Sequence, residues 1–353
     1  VKILKGSSVS LTGKEFFIIG ENVHTTRAIT NKSPRLVDNE GVQGLGFESV
    51  EGEKLFLPLS EEIKSSQEYR QKRIKHMKLA VQTGMADNAD SYTAIEYLRK
   101  AVVDQENAGA NFIDINIDEI SVNPDIQAEA MRWLVEQVAE MTNLPLSIDS
   151  SLLELIRAGL EVVSTNKPEN RVMLNSASLE RVEALDLAVE FDARVIVTAA
   201  GESAMPSGVD ERLHNASKMI NSAIEKGIKI NDLFVDPLVF PISVDSTYGR
   251  DSLDAIVKIR EEFGEEIHIT GGMSNVSFGI PMRSAINTVF LVLAIEAGAD
   301  SGIIDPIMNP IDGLSDVDRS SESYILAENA LLGKDEFCTE YISAWREGKV
   351  VAL

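Results

Sequence analysis

Cysteine is almost missing from this chain: of 353 residues, only Cys338 carries a thiol. That excludes intrachain disulfides and thiolate metal clusters, and it fits a reducing cytoplasm. Long apolar runs are missing too. Nothing approaches the roughly 20 consecutive apolar residues that cross a bilayer, so no membrane span is expected. The opening stretch VKILKGSSVSLTGKEF lacks the apolar centre of a secretory signal, and none is expected. Positive charge is scarce. Lys and Arg number 33 against 56 Asp and Glu, for a net charge of −23. A field of that sign repels nucleic acid and anionic lipid, so neither is an expected partner. The one basic concentration, EYRQKRIKHMKLA (68–80), reads as a solvated helix face; docking of an acidic partner or a polyanionic ligand tail is the alternative.

What is present is the composition of a soluble globular chain, 44% apolar and 25% charged. Short apolar, β-branched runs recur along it: EFFIIG (15–20), FIDINI (112–117), LPLSID (144–149), VMLNSA (172–177), RVIVTA (194–199), LFVDPLV (233–239), IHITG (267–271) and SGIID (301–305). Near-continuous apolar strands, unlike alternating ones, signal a sheet covered on both faces. Between them lie stretches with helical apolar spacing, such as PDIQAEAMRWLVEQVAEMT and ERLHNASKMINSAIEKG, several ending at Gly. Strand–helix alternation repeated eight times predicts an α/β fold, a (β/α)8 TIM barrel; an open doubly wound sheet is the competitor. One connection breaks the rhythm. Residues 28–90 form a long insert between the first strand and its helix, Gly-rich and polar in part, on the face where barrel active sites form. A lid or a partner-docking insert is one reading of it, and a mobile surface excursion is the other. Residues 306–353 read as closing helices. No repeat or linker divides the chain, so a single domain over 1–353 is expected.

A glycine-rich turn between strand and helix often cradles a phosphate, and such cradles commonly add a basic residue. The stretch TGGMSNVSFGIP (270–281) has the glycines and no Lys or Arg. It belongs to a wider pattern. Strand ends of a barrel converge on its mouth, and here they carry Glu21, Asn22, Asp114, Asn116, Asp149, Asn175, Asp236, Asn275 and Asp305. Each alone is more often a cap or turn former; as a set they define a polar rim with no His pair for a metal and no clustered phosphate site. Ionised carboxylates accept from adjacent N–H groups and carboxamides both donate and accept, which suits a neutral heterocycle such as a pterin or a guanine. A carboxylate-rich mouth could instead bind Mg²⁺, but no metal is expected.

At these residues the sequence resembles the pterin-binding barrel family. Within it, the pattern is similar to the methyltetrahydrofolate:corrinoid methyltransferases and the folate domain of cobalamin-dependent methionine synthase. The resemblance is carried, in order, by GEN (20–22), GANFIDIN (109–116), LPLSIDSS (144–151), MLNSAS (173–178), DPLVFPIS (236–243) and MSNVSF (273–278). It implies pterin contacts at Asp149, Asn175 and Asp236, with Glu21, Asp114, Asn116 and Arg283 counted among the pterin-binding residues. It implies catalytic roles for Asn275, the carboxamide near the methyl-bearing nitrogen, and for Asp149. The implied activity moves a methyl group between N5 of tetrahydrofolate or methyltetrahydrofolate and the cobalt of a corrinoid (cobalamin) carried by a partner protein. A homodimer is the expected assembly.

Dihydropteroate synthases share the fold, but their loop carries Ser-Arg-Lys where this chain has Ser274, Asn275 and Val276, and their Arg-Val-His-Asp is replaced by GIIDP. Condensation with loss of diphosphate is therefore the weaker reading; a non-catalytic pterin-binding or docking subunit is a third. Two features depart from the methyltransferase pattern, the insert and GENVHTTR. Relatives typically have Gly-Glu-Arg and then an asparagine, where this chain has Asn22 and His24; Arg27 is the candidate to replace the lost arginine. EIHITG (266–271) approaches a corrinoid-binding signature, but its His268 falls inside a strand and reads as structural.

Overall fold

The computed structural model describes residues 8–9, 15–167 and 169–353. Eight strands form the barrel: β1 (Glu15–His24), β2 (Phe112–Asn116), β3 (Leu146–Asp149), β4 (Met173–Ala177), β5 (Arg194–Thr198), β6 (Leu233–Asp236), β7 (His268–Ile269) and β8 (Ser301–Ile304). They follow one another in sheet order from β1 to β7, and β8 pairs parallel with the other side of β1, Ile304 opposite Gly20. A parallel bridge from Gly272 to Ile303 nearly completes the ring. The fold is a (β/α)8 barrel. The strands stand where the apolar runs predict them, and β2 shows why: all five of its residues are buried. A strand covered on both faces has no solvent side on which to alternate polar residues.

The helices that follow the strands are α1 (Ser91–Asn107), α2 (Pro124–Met141), α3 (Leu153–Asn166), α4 (Ala184–Glu190), α5 (Val209–Glu225), α6 (Tyr248–Phe263), α7 (Arg283–Ala297) and α8 (Glu322–Leu331), with α9 (Thr339–Arg346) after them. Their starts follow local rules. Asn123 caps α2 by accepting from the Asp125 N–H, with Pro124 in the first turn, and Ser321 caps α8 by accepting from Tyr324. Gly298, at φ 114°, ends α7 in the left-handed conformation glycine tolerates best.

Contacts gather the chain into two compact units. The first comprises the opening of β1, residues 108–111 and residues 173–353; the second comprises 21–107 and 112–172. The core of the first is built from β4 to β8 and their helices. Val289, Phe290, Leu291 and Val292 are buried in succession along α7. Here His268 packs its ring on Phe234 with centroids 4.5 Å apart, and its Nδ1 lies 2.8 Å from Asp300. Cys338 is buried, and burial followed by the charge of Asp335 pushes its thiol up to about 11. An inert packing residue behaves that way.

The second unit holds the insert, which the sequence presents as largely polar. It is a built element. Val42–Glu48 is the central strand of a three-stranded antiparallel sheet with Leu36–Asn39 and Lys54–Pro58. Leu45 and Leu57 are fully buried, and Phe47 meets Tyr97 of α1 edge-on at 4.9 Å. The Tyr97 hydroxyl lies 3.0 Å from His76 Nδ1. Burial, then the nearby Arg35 and Arg27, push that imidazole down to about 3, so it is neutral. The basic stretch 68–80 is not a single helix face: it is shared among a helical turn (Gln67–Arg70), a short strand (Arg73–Ile74) and a helix (His76–Met85). Its charges meet acidic neighbours in the chain, Lys75 binding Glu68 at 2.6 Å and Glu119 at 2.7 Å, and Lys78 approaching Glu62 at 3.4 Å.

Candidate active site

In the second unit, three strand ends bring together residues far apart in sequence. The β2–β3 register sets Asn116 opposite Asp149, and the Asn116 carboxamide donates to Asp149 Oδ2 at 2.9 Å. The chain just past β1 is tied in as well, Thr25 N–H donating to the Asn116 carbonyl. Beside them His24 Nε2 lies 2.7 Å from Asp114 Oδ2, on a carboxylate that is completely buried. One ligand atom each from His24, Asp114 and Asp149 falls within 4.8 Å of the others, a spacing that could hold a metal ion. The sequence reading did not foresee this trio, because its members sit on three strands and none is a metal motif by spacing. Asp118 braces the same ends, accepting from Ser150 Oγ at 2.5 Å and from the Ser151 N–H at 2.9 Å. Glu21 pairs with Arg27 at 3.3 Å.

Electrostatics follow from this crowding. Burial is the largest influence on Asp149, with the charge of Asp114 next. Together they push its carboxyl up to about 7, against the opposing pull of His24 and Asn116. Burial pulls the His24 imidazole down, but the hydrogen bond and charge of Asp114, with Asp149 and Glu21, outweigh it and leave the ring more basic than usual. His24 and Asp149 are therefore both more prone to hold a proton near neutral pH than an isolated imidazole and carboxylate would be.

In the first unit, the remaining rim residues lie on β4, β6 and the loop after β7. Asn175 is buried midway along β4, and its peptide bond to Ser176 is cis. Arg181 donates to the Ser176 carbonyl at 3.2 Å, fixing that turn. Asp236 ends β6, and its Oδ1 accepts from the Leu238 N–H at 2.7 Å. Burial pushes Asp236 up to about 6, with the Leu238 N–H and the charge of Arg212 working the other way.

The double glycine of the loop after β7 now has a physical reason. A Cβ on Gly271 would lie 3.2 Å from Asp236 Oδ1, and one on Gly272 would lie 2.7 Å from Asn275 Nδ2. Each glycine makes room for a side chain, so the loop holds a carboxylate and a carboxamide close to backbone. Asn275 is exposed on a short 3-10 turn, Met273–Ser277. Arg283 secures that turn, donating to the Ser274 carbonyl at 2.7 Å and to Ser277 Oγ at 2.9 Å. Asp305 does different work: its Oδ1 accepts from the N–H groups of Ile307 and Met308, forming the turn after β8. Arg212, fully buried on α5, was missed by the sequence reading. Its signal was there, an arginine on the stripe that continues through Asn215, Ala216, Met219, Ile220 and Ala223.

Comparison with known proteins shows the family. The family described as pterin binding enzyme matches residues 85–305. The chain belongs to that family of enzymes. Among its relatives is the methylcorrinoid:tetrahydrofolate methyltransferase of Eubacterium limosum, 29% identical over 259 residues that cover 72% of this chain and 89% of the relative. Methionine synthase of Mycobacterium leprae (strain TN) is 28% identical over 215 residues, 57% of this chain but only 17% of that longer protein. Among solved structures, dihydropteroate synthase from Xanthomonas albilineans in complex with 7,8-dihydropteroate is similar at 19% identity and a TM-score of 0.49, over 65% of this chain and 86% of that one. Among the described residues no helix is long and apolar enough to cross a membrane.

Proposed function

We propose that the chain is a methyltransferase that moves a methyl group between N5 of tetrahydrofolate and the cobalt of a corrinoid borne by a separate protein. One observation carries the reading. The loop after β7 lodges an exposed carboxamide, Asn275, and backs a carboxylate, Asp236, with glycines, and it carries no lysine or arginine of the kind a phosphate-binding loop commonly adds. Its nearest guanidinium, Arg283, is tied to the loop's own carbonyl and hydroxyl. A neutral ring with N–H donors suits those groups; a departing diphosphate does not. The name of the Eubacterium limosum relative, matched over most of its length, supports the same choice.

In the reaction the Co–C bond forms as the N5–CH₃ bond breaks, and the electron pair left on N5 must take a proton. In the opposite direction N5 loses that proton as it gains the methyl. A tertiary amine leaves poorly unless it is protonated, so the residues must favour the N5–H⁺ form as the transition state develops. Asn275 supplies a carboxamide that can exchange donor and acceptor roles there. Asp236 and Asn175 orient the ring by its polar edge, and Asp149 takes its place on that edge by its match to the family motif. Orientation matters because cobalt, carbon and N5 must be nearly collinear.

The test mixes the chain with methyltetrahydrofolate and a reduced corrinoid protein and follows the cobalt spectrum. Conversion of the cob(I) spectrum to the methylcobalt one is expected. Folate binding with no transfer in either direction would make the chain a pterin-binding subunit, and release of diphosphate from an activated pterin would make it a condensing enzyme.

A further inference from the structure

Arg212 is an arginine in a place built for an apolar side chain. It is fully buried on α5, and its Nη1 donates to the Pro237 carbonyl at 3.0 Å, to the Leu238 carbonyl, and to Ser252 Oγ at 3.2 Å. Its guanidinium lies 4.8 Å over the Phe240 ring. Nε and Nη2 have no hydrogen-bond partner among the described residues, and no carboxylate is bonded to the group. A buried cation kept in this way is costly, and well-packed apolar residues commonly do better when stability is all that matters. Burial makes this guanidinium less basic than usual, against the fields of Asp251, Asp236 and Tyr248. Asp236 is the member of that set on the rim, in the same turn as the carbonyls Arg212 holds: its Oδ1 accepts from Leu238, whose φ of 69° is left-handed.

We propose that Arg212 is a positioning residue for the pterin site. It anchors the Asp236–Pro237–Leu238 turn through its carbonyls, and its field keeps the Asp236 carboxylate ionised and aimed at the ring. The inference rests on the folate reading for what Asp236 grips, but the coupling between Arg212 and Asp236 belongs to the free protein. The groups acting on Asp236 are the Leu238 N–H from its own turn and Arg212 from α5. Removing the cation leaves only the amide to oppose burial, so the carboxyl must become a weaker acid.

The experiment titrates Asp236 in the free chain by NMR of ¹³C-carboxyl-labelled aspartate, its signal assigned by loss in Asp236→Asn. In Arg212→Met, which keeps the length and removes the charge, the midpoint is expected to rise by about one pH unit; in Arg212→Lys, which keeps the charge, it is expected to rise by less than half of that. Methyltetrahydrofolate affinity near neutral pH should fall severalfold in Arg212→Met; about twofold of that is lost ionisation of Asp236 and should recover in alkaline buffer, and the remainder is the loosened turn. An unmoved Asp236 midpoint in folded Arg212→Met overturns the proposal, as does a raised midpoint with unchanged folate affinity. If Arg212→Met does not fold, Arg212→Lys decides: a midpoint close to wild type together with weakened binding supports the assignment, and a midpoint raised by a full unit despite the retained charge overturns it. Wild-type protein that binds no folate while its Asp236 midpoint still responds to Arg212→Met would overturn the folate reading instead.

Discussion

Asp236 is held by opposing influences, burial on one side and the Leu238 N–H with Arg212 on the other, and its role should appear in binding and not in folding. Asp236→Asn keeps nearly the same volume and removes the charge. Calorimetry with methyltetrahydrofolate should show binding weakened by about 2–3 kcal/mol, the scale for losing a charge-assisted pair inside a site; a change within twofold would reduce Asp236 to a turn residue. Asn275 is expected to act later along the reaction. Asn275→Ala should slow single-turnover methyl transfer at saturating folate by about 10²–10³-fold while ground-state affinity changes much less, because the hydrogen bond matters most in the transition state. A melting curve on the same sample separates this from a role in shaping the turn. The trio of His24, Asp114 and Asp149 makes a prediction about pH. His24 is raised above its unfolded value, so its stabilisation is present below that value and fades as pH rises through the folded one. Asp149 is raised to about 7, so it too favours the folded state at low pH and loses that contribution as pH climbs towards and through about 7. The two have the same sign. The melting temperature should fall on going from mildly acidic to mildly alkaline buffer, and Asp149→Asn should flatten the slope. A wild-type melting temperature that rises over that range would mean these protons are not held.

At the scale of elements, the insert between β1 and α1 gives the sharpest contrast between sequence and structure. Its glycines and charges suggest an excursion that could be cut away while the barrel remains folded. The structure gives it a core of its own, with Leu45 and Leu57 fully buried and Phe47 against Tyr97. Deleting 30–60 would expose that apolar surface, so loss of stability is now the expected result. The finer test is Leu57→Ala, which should cost about 2–5 kcal/mol in denaturant unfolding, as buried leucines do when a cavity is left. A cost near zero would return the insert to the surface. The loop after β7 shows the opposite relation. Its glycines were legible as a meaningful signal, and the absence of Lys and Arg made a phosphate cradle the weaker expectation. What the glycines accommodate could not be read, because Gly271 answers to Asp236, 35 positions earlier in the chain.

For the whole molecule, the net charge of −23 and the family membership bear on what the chain takes in. Folate binding is expected to survive EDTA unchanged by calorimetry, since the proposed function has Asp236 and Asn175 meet the N–H donors of a ring and the His24–Asp114 contact already satisfies the imidazole. Affinity lost on chelation and restored by a divalent cation would give the His24, Asp114 and Asp149 group a metal to hold. The sequence by itself determined the eight strands and the barrel, because strands buried on both faces must be nearly continuous in apolar residues, and it offered polar strand ends as candidates, because those ends carry whatever polar groups a barrel site uses. It marked Asp149, Asn175, Asp236 and Asn275 as candidates for the same reason. Only the tertiary structure decided which polar ends do which work. Asp305 became a turn former, Asn116 a brace for Asp149, His24 a partner for Asp114, and Arg212 a buried cation under the Asp236 turn. Apart from the local turn at Asp305, those assignments depend on distances between residues 25 to 90 positions apart. A carboxylate's proton affinity is set by the burial and charges the fold places around it, which local sequence does not contain.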